Sequence, residues 1–440
     1  MKKFVKILAL VICAVILVGV TGCGNTGYSK SKNVNSVEVV EFLTGKIYYR
    51  KTGNELGKRD THEAKNYTEL FEAVVGGTDL GIPFYNSQNE TMYLLFGDTF
   101  GDSSATGNWR SSVMSYSTDW DLSDGLLFDG YYSSSNGYAK AVIEGKHDNN
   151  DAYGEVTKIP QGGIEVNGVV YIYYESIRHW GEPGYWDVNY QGVIKSTDNC
   201  ESFERVYDLT WFSSTDDQYI EASKEYAEQD VSGNDSGVDI DVEGREAPYF
   251  EQCYPVDGKD GYVYIFGRRA GRQHGIKVAR VSYANIEKFD EHEYYCGNDN
   301  DGNAIWKKGR EGLAGLNNDT VGLIVKEPAS NMSVMWNEYL GKWMLVYLKA
   351  ESKNIVYRLS DTIWGNYGDY NVILEKDFFT EDGVNHEVLG VEWSFDKSNS
   401  VVYGAFVHEK YQEENGKSFY LILSITDPIY NTLLFKVNLK

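Results

Sequence analysis

The chain has 440 residues, with 41 Lys and Arg against 65 Asp and Glu, and its net charge of −24 at neutral pH excludes nucleic acid as a partner. Its 35 Tyr and 45 Gly, in aromatic runs that alternate with turn residues, favour strands over helices. Five cysteines whose spacing matches no zinc signature exclude a disulfide framework or a zinc site as what holds the fold.

The first element is "MKKFVKILALVICAVILVGVTGC": Lys2, Lys3 and Lys6, an apolar run from Ile7 to Val20, then Val20-Thr21-Gly22-Cys23. The run is short for a membrane span and has the layout of an export signal. Its last four residues resemble a bacterial lipobox, which predicts cleavage after Gly22, lipid attachment at Cys23 and a bacterial membrane or cell-surface location. Cleavage removes three lysines and no acid, which takes the net charge to −27. Residues 24 to 36 are polar, so 23–36 reads as a flexible tether and 37–440 as the folded domain, expected as a monomer.

Beyond the tether no Pro/Ser/Gly-rich linker divides the chain, so one large domain or a repeat architecture is expected. Helical patterning is confined to 60–74 and 220–229, and the acidic run 221–246 reads as a solvated insertion. A short segment, a turn and an apolar aromatic strand recur five times: "GTDLGIPFYNSQNETMYLLFGD", "PQGGIEVNGVVYIYYES", "FEQCYPVDGKDGYVYIFGRR", "NMSVMWNEYLGKWMLVYLK" and "LGVEWSFDKSNSVVYGAFVH". The second strands begin at Met92, Val169, Tyr262, Trp343 and Val401, spacings of 77, 93, 81 and 58 residues. Each interval holds a four-stranded sheet and its loops, the pattern of an all-β, five-bladed β-propeller. A double-sheet sandwich accounts for the strands but less directly for the recurrence. "STDNCESF" (196–203) resembles the Asp-box turn of sialidases, with Cys200 where that motif has Gly and Phe203 where it has Trp. "NDNDGNAIW" (298–306) lacks the glutamate that a calcium loop needs at its twelfth position and reads as a hairpin turn. With no phosphate loop, nucleophile elbow or HExxH, neither a cofactor nor a metal is expected.

The first hairpin carries Asp79 near one end and Asp98 near the other, with a turn expected near Ser87 and Gln88. That register sets Asp79 opposite residues 96–98, and cross-strand neighbours have Cβ atoms roughly 5 to 8 Å apart. Two carboxylates so close repel, and one tends to keep its proton. An acid and a base together are what glycoside hydrolysis requires. Six residues after each second strand begins stand Asp98, Glu175, Arg268, Lys349 and Val407, the last followed by His408. With the first-strand starts, Asp79, Gln161, Gln252, Asn331 and Glu392, they are expected to ring one mouth of the channel. Asp79 and Asp98 are the candidate catalytic pair and Glu175 the reserve acid. Gln161, Gln252, Asn331, Arg268, Arg272 and His274 are candidates for binding sugar, the last three from "GRRAGRQHG". Trp109, Trp180, Trp186 and Trp211 fall in loop-like segments where an indole could stack on a sugar ring, with Trp109 and Trp186 preferred.

The segments "GGTDLGIP", "LFGDTFGD", "RSSVMSYSTD", "IPQGGIEVNG", "NMSVMWNEYLGKWMLVY" and "SFYLILSITDPIYNTLLFKVNL" together resemble domain-of-unknown-function family 4185 from about Val75 onward. The resemblance implies a five-bladed glycosidase propeller. It also implies endo-D-arabinanase activity of the kind placed in glycoside hydrolase family 183, with Asp79 in "GTDLG" and Asp98 in "FGDTF" as its carboxylates. The chain departs from the family at "GRRAGRQHG", where a motif close to G-T-P-[AS]-G-R-x-G is expected. The partner expected is an extracellular polysaccharide. A noncatalytic glycan-binding lipoprotein and an exo-acting glycosidase of sialidase or arabinofuranosidase type are the competing readings.

Overall fold

The structure, a computed structural model, describes residues 32–45, 66, 72–148, 152–216, 218–365, 367–376, 402–426 and 430–440. The expected signal, the lipid-attachment residue Cys23 and Glu392 lie outside them, as does most of the helix expected over 60–74.

Strand β1 (Val34–Phe42) begins inside the stretch expected as tether. The first blade is β2 (Leu80–Asn86), β3 (Thr91–Phe96), β4 (Val113–Ser117) and β5 (Gly130–Tyr131). The second is β6 (Thr157–Val166), β7 (Val169–Trp180), β8 (Trp186–Ser196) and β9 (Glu204–Phe212). Helix α1 (Ile220–Ala227) follows, close to the helical stretch expected at 220–229. The third blade has five strands, β10 (Gln252–Asp257), β11 (Tyr262–Arg268), β12 (Lys277–Ser282), β13 (Glu293–Asn298) and β14 (Ala304–Lys308), before helix α2 (Gly309–Ala314). The fourth is β15 (Ala329–Asn337), β16 (Lys342–Lys349), β17 (Asn354–Ser360) and β18 (Asn371–Leu374). In the fifth, β19 (Val402–Glu413), β20 (Ser418–Ile425) and β21 (Asn431–Leu439) are completed by β1. Every pairing inside a blade is antiparallel, and the five sheets make the expected propeller.

The first strand of each sheet, β2, β6, β10, β15 and β19, lies innermost and packs beside the next around the axis. That overturns the expectation for the fifth repeat. Among the described residues the strand starting at Val402 is the inner strand of its blade, because β20 and β21 lie outside it and β1 takes the outer place, while the first arm expected before it lies outside the described residues. Joining the first described strand to the last pairs Val37 with Val437 and closes the ring with backbone hydrogen bonds. The turn of the first hairpin spans 87–90, between Asn86 and Thr91.

The apolar core fills the space between blades. Trp211 is part of it at 1% exposure, with its Nε1 donating to the Tyr294 hydroxyl at 3.0 Å, so it is not the sugar-stacking loop residue expected. Trp180 and Trp186 lie at the facing ends of β7 and β8. Cys200, Cys253 and Cys296 are free. In the Asp-box-like turn Ser196 Oγ donates to Asp198 Oδ1 at 2.7 Å and accepts from the Cys200 amide at 2.9 Å. Cys200 has φ +69°, the left-handed conformation that explains why the sialidase motif has Gly there.

The sequence "QGGIEV" places two glycines against the neighbouring blades. A Cβ on Gly162 would lie 2.5 Å from Pro255 Cδ of the third blade, and one on Gly163 2.5 Å from Phe84 Cδ1 of the first. Gly163→Ala must therefore push the first two blades apart at the axis. We expect a loss of about 1–3 kcal/mol, the usual range for overpacking, seen as a lower urea midpoint at unchanged slope. An unchanged midpoint would show that the blades part without cost.

Candidate active site

Asp79 and Asp98 occupy the mouth of the channel at the start of the inner strands. The Gly97 amide donates to the Asp79 carbonyl at 3.2 Å, and Leu80 pairs with Phe96, so Asp79 stands opposite Gly97 as the register expected. Gly97 has no alternative: a Cβ there would sit 2.3 Å from Asp79 Oδ1. The turn that presents Asp79 is strained, because Leu80 has φ +68° and Gly81 φ +73°. A side chain in that region costs about 1–2 kcal/mol, and the Leu80 amide is held there by Ser424 Oγ at 2.7 Å.

Each carboxyl takes donors from the next blade. Asp79 Oδ2 accepts from the Tyr403 hydroxyl of β19 at 2.6 Å, while Oδ1 is buried without a partner. Burial pushes Asp79 up to about 6, against the hydrogen bonds of Tyr403 and Tyr430 that favour its ionised form. Asp98 Oδ1 accepts from Thr157 Oγ1 of β6 at 2.6 Å and from Trp109 Nε1 at 2.8 Å. Burial pushes it up to about 7, opposed by those two bonds and reinforced by the charge of Asp79. Glu175, 1% exposed on β7, accepts at Oε1 from Gln161 Nε2 (2.8 Å) and Gln252 Nε2 of β10 (2.7 Å), and at Oε2 from Trp186 Nε1 (3.1 Å). Three N–H donors favour the anion, but burial prevails and pushes Glu175 up to about 8. The arrangement can therefore hold a proton beside a base at near-neutral pH.

Residues 65–436 match the family described as Domain of unknown function (DUF4185). The chain belongs to that family. No curated protein sequence matches this DUF4185 protein. Among solved structures, one from Bacteroides ovatus is similar with a TM-score of 0.50 at 12% identity, over 88% of this chain and 93% of that one. A native arabinanase from Bacillus subtilis matches with a TM-score of 0.38 at 14% identity, over 82% of this chain and 96% of that one. A xylan β-1,4-xylosidase from Bacillus halodurans gives 0.41 at 11% identity, over 83% of this chain and 53% of that one. At 12% identity what the first of these shares is the fold, and residue roles come from the site itself.

The other expected residues of the DUF4185 protein divide into two groups. Gln161, Gln252 and Trp186 surround Glu175, and Trp109 holds Asp98. The Arg268 guanidinium lies 5.9 Å from the Trp186 ring centroid, and that of Arg272 5.4 Å from that of Tyr403. His274 belongs elsewhere: its Nδ1 is 3.5 Å from Asp319 and its ring faces Tyr249. Asn331 accepts from Ser330 Oγ at 3.1 Å, and Lys349 pairs with Glu351 at 3.0 Å. No bond among the described residues joins any of these three to the carboxylates. His408 corrects the expected ring outright, since it lines a cavity at the opposite mouth with Phe84, Tyr254 and Trp336. The reason is the fifth blade's order: six residues along an inner strand lead away from the mouth.

Two partners of the carboxylates and one further buried acid were not expected. Tyr403 follows the same rule as Gln161 and Gln252, a polar residue at the start of an inner strand, and is legible once 402–413 is read as one. Thr157 starts β6. Glu251, just before β10, accepts from the Ala270 amide at 2.5 Å and from Ser213, and burial pushes it up to about 7.

Because Asp98 lies above its ordinary value of 3.8 in the fold, the folded chain binds more protons than the unfolded one up to about pH 7. The stability this contributes is complete below the unfolded pKa and is lost as pH rises through the folded one. Asp98→Asn cannot ionise and keeps an oxygen for Thr157 and Trp109. We expect it to be more stable than the wild type above about pH 8 and to lose that advantage below about pH 4, read as the difference in urea midpoints across pH.

Proposed function

We propose that this protein is a glycoside hydrolase of the bacterial cell surface, lipid-anchored at Cys23, that cuts an extracellular polysaccharide of the furanoside class implied by the family resemblance. The observation that carries this reading is the single hairpin that holds two half-buried carboxyls, raised to about 6 and about 7, at the channel mouth. Asp98 has the higher pKa, and none of the described bonds uses its Oδ2, so it is assigned as the acid. It protonates the leaving glycosidic oxygen as the bond to the anomeric carbon breaks. Asp79 is the more readily ionised, with two phenols supporting its anion and Oδ1 unpartnered, and it acts on water as base or on the anomeric carbon as nucleophile. Water supplies the hydroxyl of the released sugar, and proton exchange with solvent resets the pair. Glu175, with both oxygens engaged, is a positioning residue that fixes Gln161, Gln252 and Trp186.

Asp79→Asn and Asp98→Asn nearly preserve shape while removing proton transfer, a contribution of about 10² to 10⁴ in rate. We expect each variant to retain glycan on an affinity gel and to lose at least about a hundredfold in hydrolysis. The wild type should show a bell-shaped pH profile on a panel that includes D-arabinan and L-arabinan. Binding with no cleavage across the panel would establish the noncatalytic reading instead.

Cys23→Ala tests the anchor. The variant should leave the membrane fraction or accumulate unprocessed, whereas normal maturation and membrane retention would refute lipidation.

A further inference from the structure

Two arginines at this mouth lack an acid: Arg268, which departs from the family pattern, and Arg272, which fits it. Arg245, Arg280, Arg310 and Arg358 each pair a carboxylate, at 2.6, 2.7, 2.6 and 2.5 Å. Arg205, without one, has three tyrosine rings within 5.5 Å of its guanidinium carbon. Arg268 and Arg272 form no ion pair with any described residue. Arg268 is 1% exposed; its Nη1 donates to the carbonyls of Arg269 (3.2 Å), Ala329 (3.4 Å) and Gly271, while Nη2 is buried with no partner. Glu175 and Glu251 attract it without forming an ion pair, since the oxygens of Glu175 are engaged by Gln161, Gln252 and Trp186.

Arg272 meets the site from another side. Its amide donates to Gln273 Oε1 at 2.9 Å, and Gln273 Nε2 donates to the Gly184 carbonyl at 2.8 Å, which ties this loop to the tip of the β7–β8 hairpin. The guanidinium stands by Tyr403, the phenol that holds Asp79, and its Nε is buried and unpartnered. It also lines a cavity of about 210 Å³ with Lys353, Lys376 and a single acid, Glu375. A buried guanidinium without a direct ion pair is costly; the acids of the mouth attract these two without pairing them, and the outer acids add little, since at physiological salt their fields fade within about 8 Å.

Resting on the glycan-hydrolase reading of this mouth, we propose that its substrate carries an anionic substituent, a carboxylate, sulfate or phosphate on the sugar, which Arg268 and Arg272 bind beside the reacting bond. A planar guanidinium with unused N–H groups matches such an oxyanion in charge and geometry. A neutral glycan would offer the unused N–H groups of either guanidinium no oxyanion.

Calorimetry on the full chain carrying Asp98→Asn reads binding without turnover. The probes are an oligouronate, the same oligomer with its carboxyls reduced to alcohols, and sulfated and phosphorylated oligosaccharides. We expect at least one anionic probe to bind about tenfold or more tighter than the carboxyl-reduced oligomer, with the best of the three identifying the substituent. Arg272→Gln, at a half-buried position, should abolish the preference; Arg272→Lys should restore part of it. Arg268→Gln should do the same where circular dichroism shows it folded. Equal affinity for charged and reduced probes, no measurable binding of any anionic probe, or an undiminished preference in Arg272→Gln overturns the proposal. A wild type that binds an anionic glycan and cleaves none sinks the hydrolase reading alone; one that cleaves a neutral glycan and ignores anionic ones sinks this inference alone.

Discussion

Loss of water at the point where five strand beginnings converge governs the rest of the mouth. Burial is the largest influence on Asp79, Asp98, Glu175 and Glu251 alike, and in each it raises the pKa. A carboxyl removed from water must find donors in the protein, and here the donors come from across the blade boundaries. Tyr403 of the fifth blade serves Asp79 of the first, Thr157 of the second serves Asp98, and Gln252 of the third serves Glu175. The bonds that compensate desolvation thus also join blade to blade, and stability and chemistry share the same atoms. The chain of bonds passes from the fifth blade through the first and second to the third. The fourth blade takes no part in it, and that is the side where the cavity lined by Arg272, Lys353 and Lys376 opens.

The balance between desolvation and donors also separates the roles of the three acids. Glu175, with three donors and almost no exposure, is pushed highest, because fixed N–H groups do not replace the water it has lost. Asp79 is pushed least, supported by two tyrosine hydroxyls. Asp98 lies between them and feels the charge of Asp79 as a further penalty, so within the hairpin the proton is better kept on Asp98.

Much of this was legible in the sequence, and for physical reasons. Period-two aromatic strands and turn residues survive any tertiary context, so four second strands begin within one residue of the expected positions, and a strand begins at Val402 beside the expected fifth start, though as an inner strand. The cross-strand placement of Asp79 near Asp98 follows from hairpin register alone. What failed was strand rank in the fifth blade: a closing strand brought from the other end of the chain leaves no local signal, and His408 was placed at the wrong mouth as a result. Trp211 shows a second limit, since an indole in a polar-looking segment reads as exposed until the third blade, with Tyr294, covers it. His274 shows a third: sequence adjacency to Arg272 says nothing about which way a loop turns.

Irregularities at the mouth end of four inner strands help to bring polar residues together there. Register shifts interrupt β2 between Leu80 and Ile82, β6 between Pro160 and Gly162, β15 between Ala329 and Met332, and β19 between Tyr403 and Phe406. These four lie at the mouth end of their strands, while a fifth, in β19 between Val407 and Gln412, lies toward the other end; a bulge locally breaks the alternation of side chains. In β6 the extra residue is Gln161, which bonds Glu175, and in β2 the irregularity includes the left-handed pair Leu80 and Gly81 just after Asp79. Strand β10 alone pairs without a shift, from Gln252 opposite Arg268 to Asp257 opposite Val263. The third blade therefore offers a straight edge against which the others are bent, and it carries the unpaired arginine. A regular strand end holds Arg268 where backbone carbonyls can bind one of its nitrogens and leave the other free, which suits a fixed binding group beside carboxyls that must exchange protons.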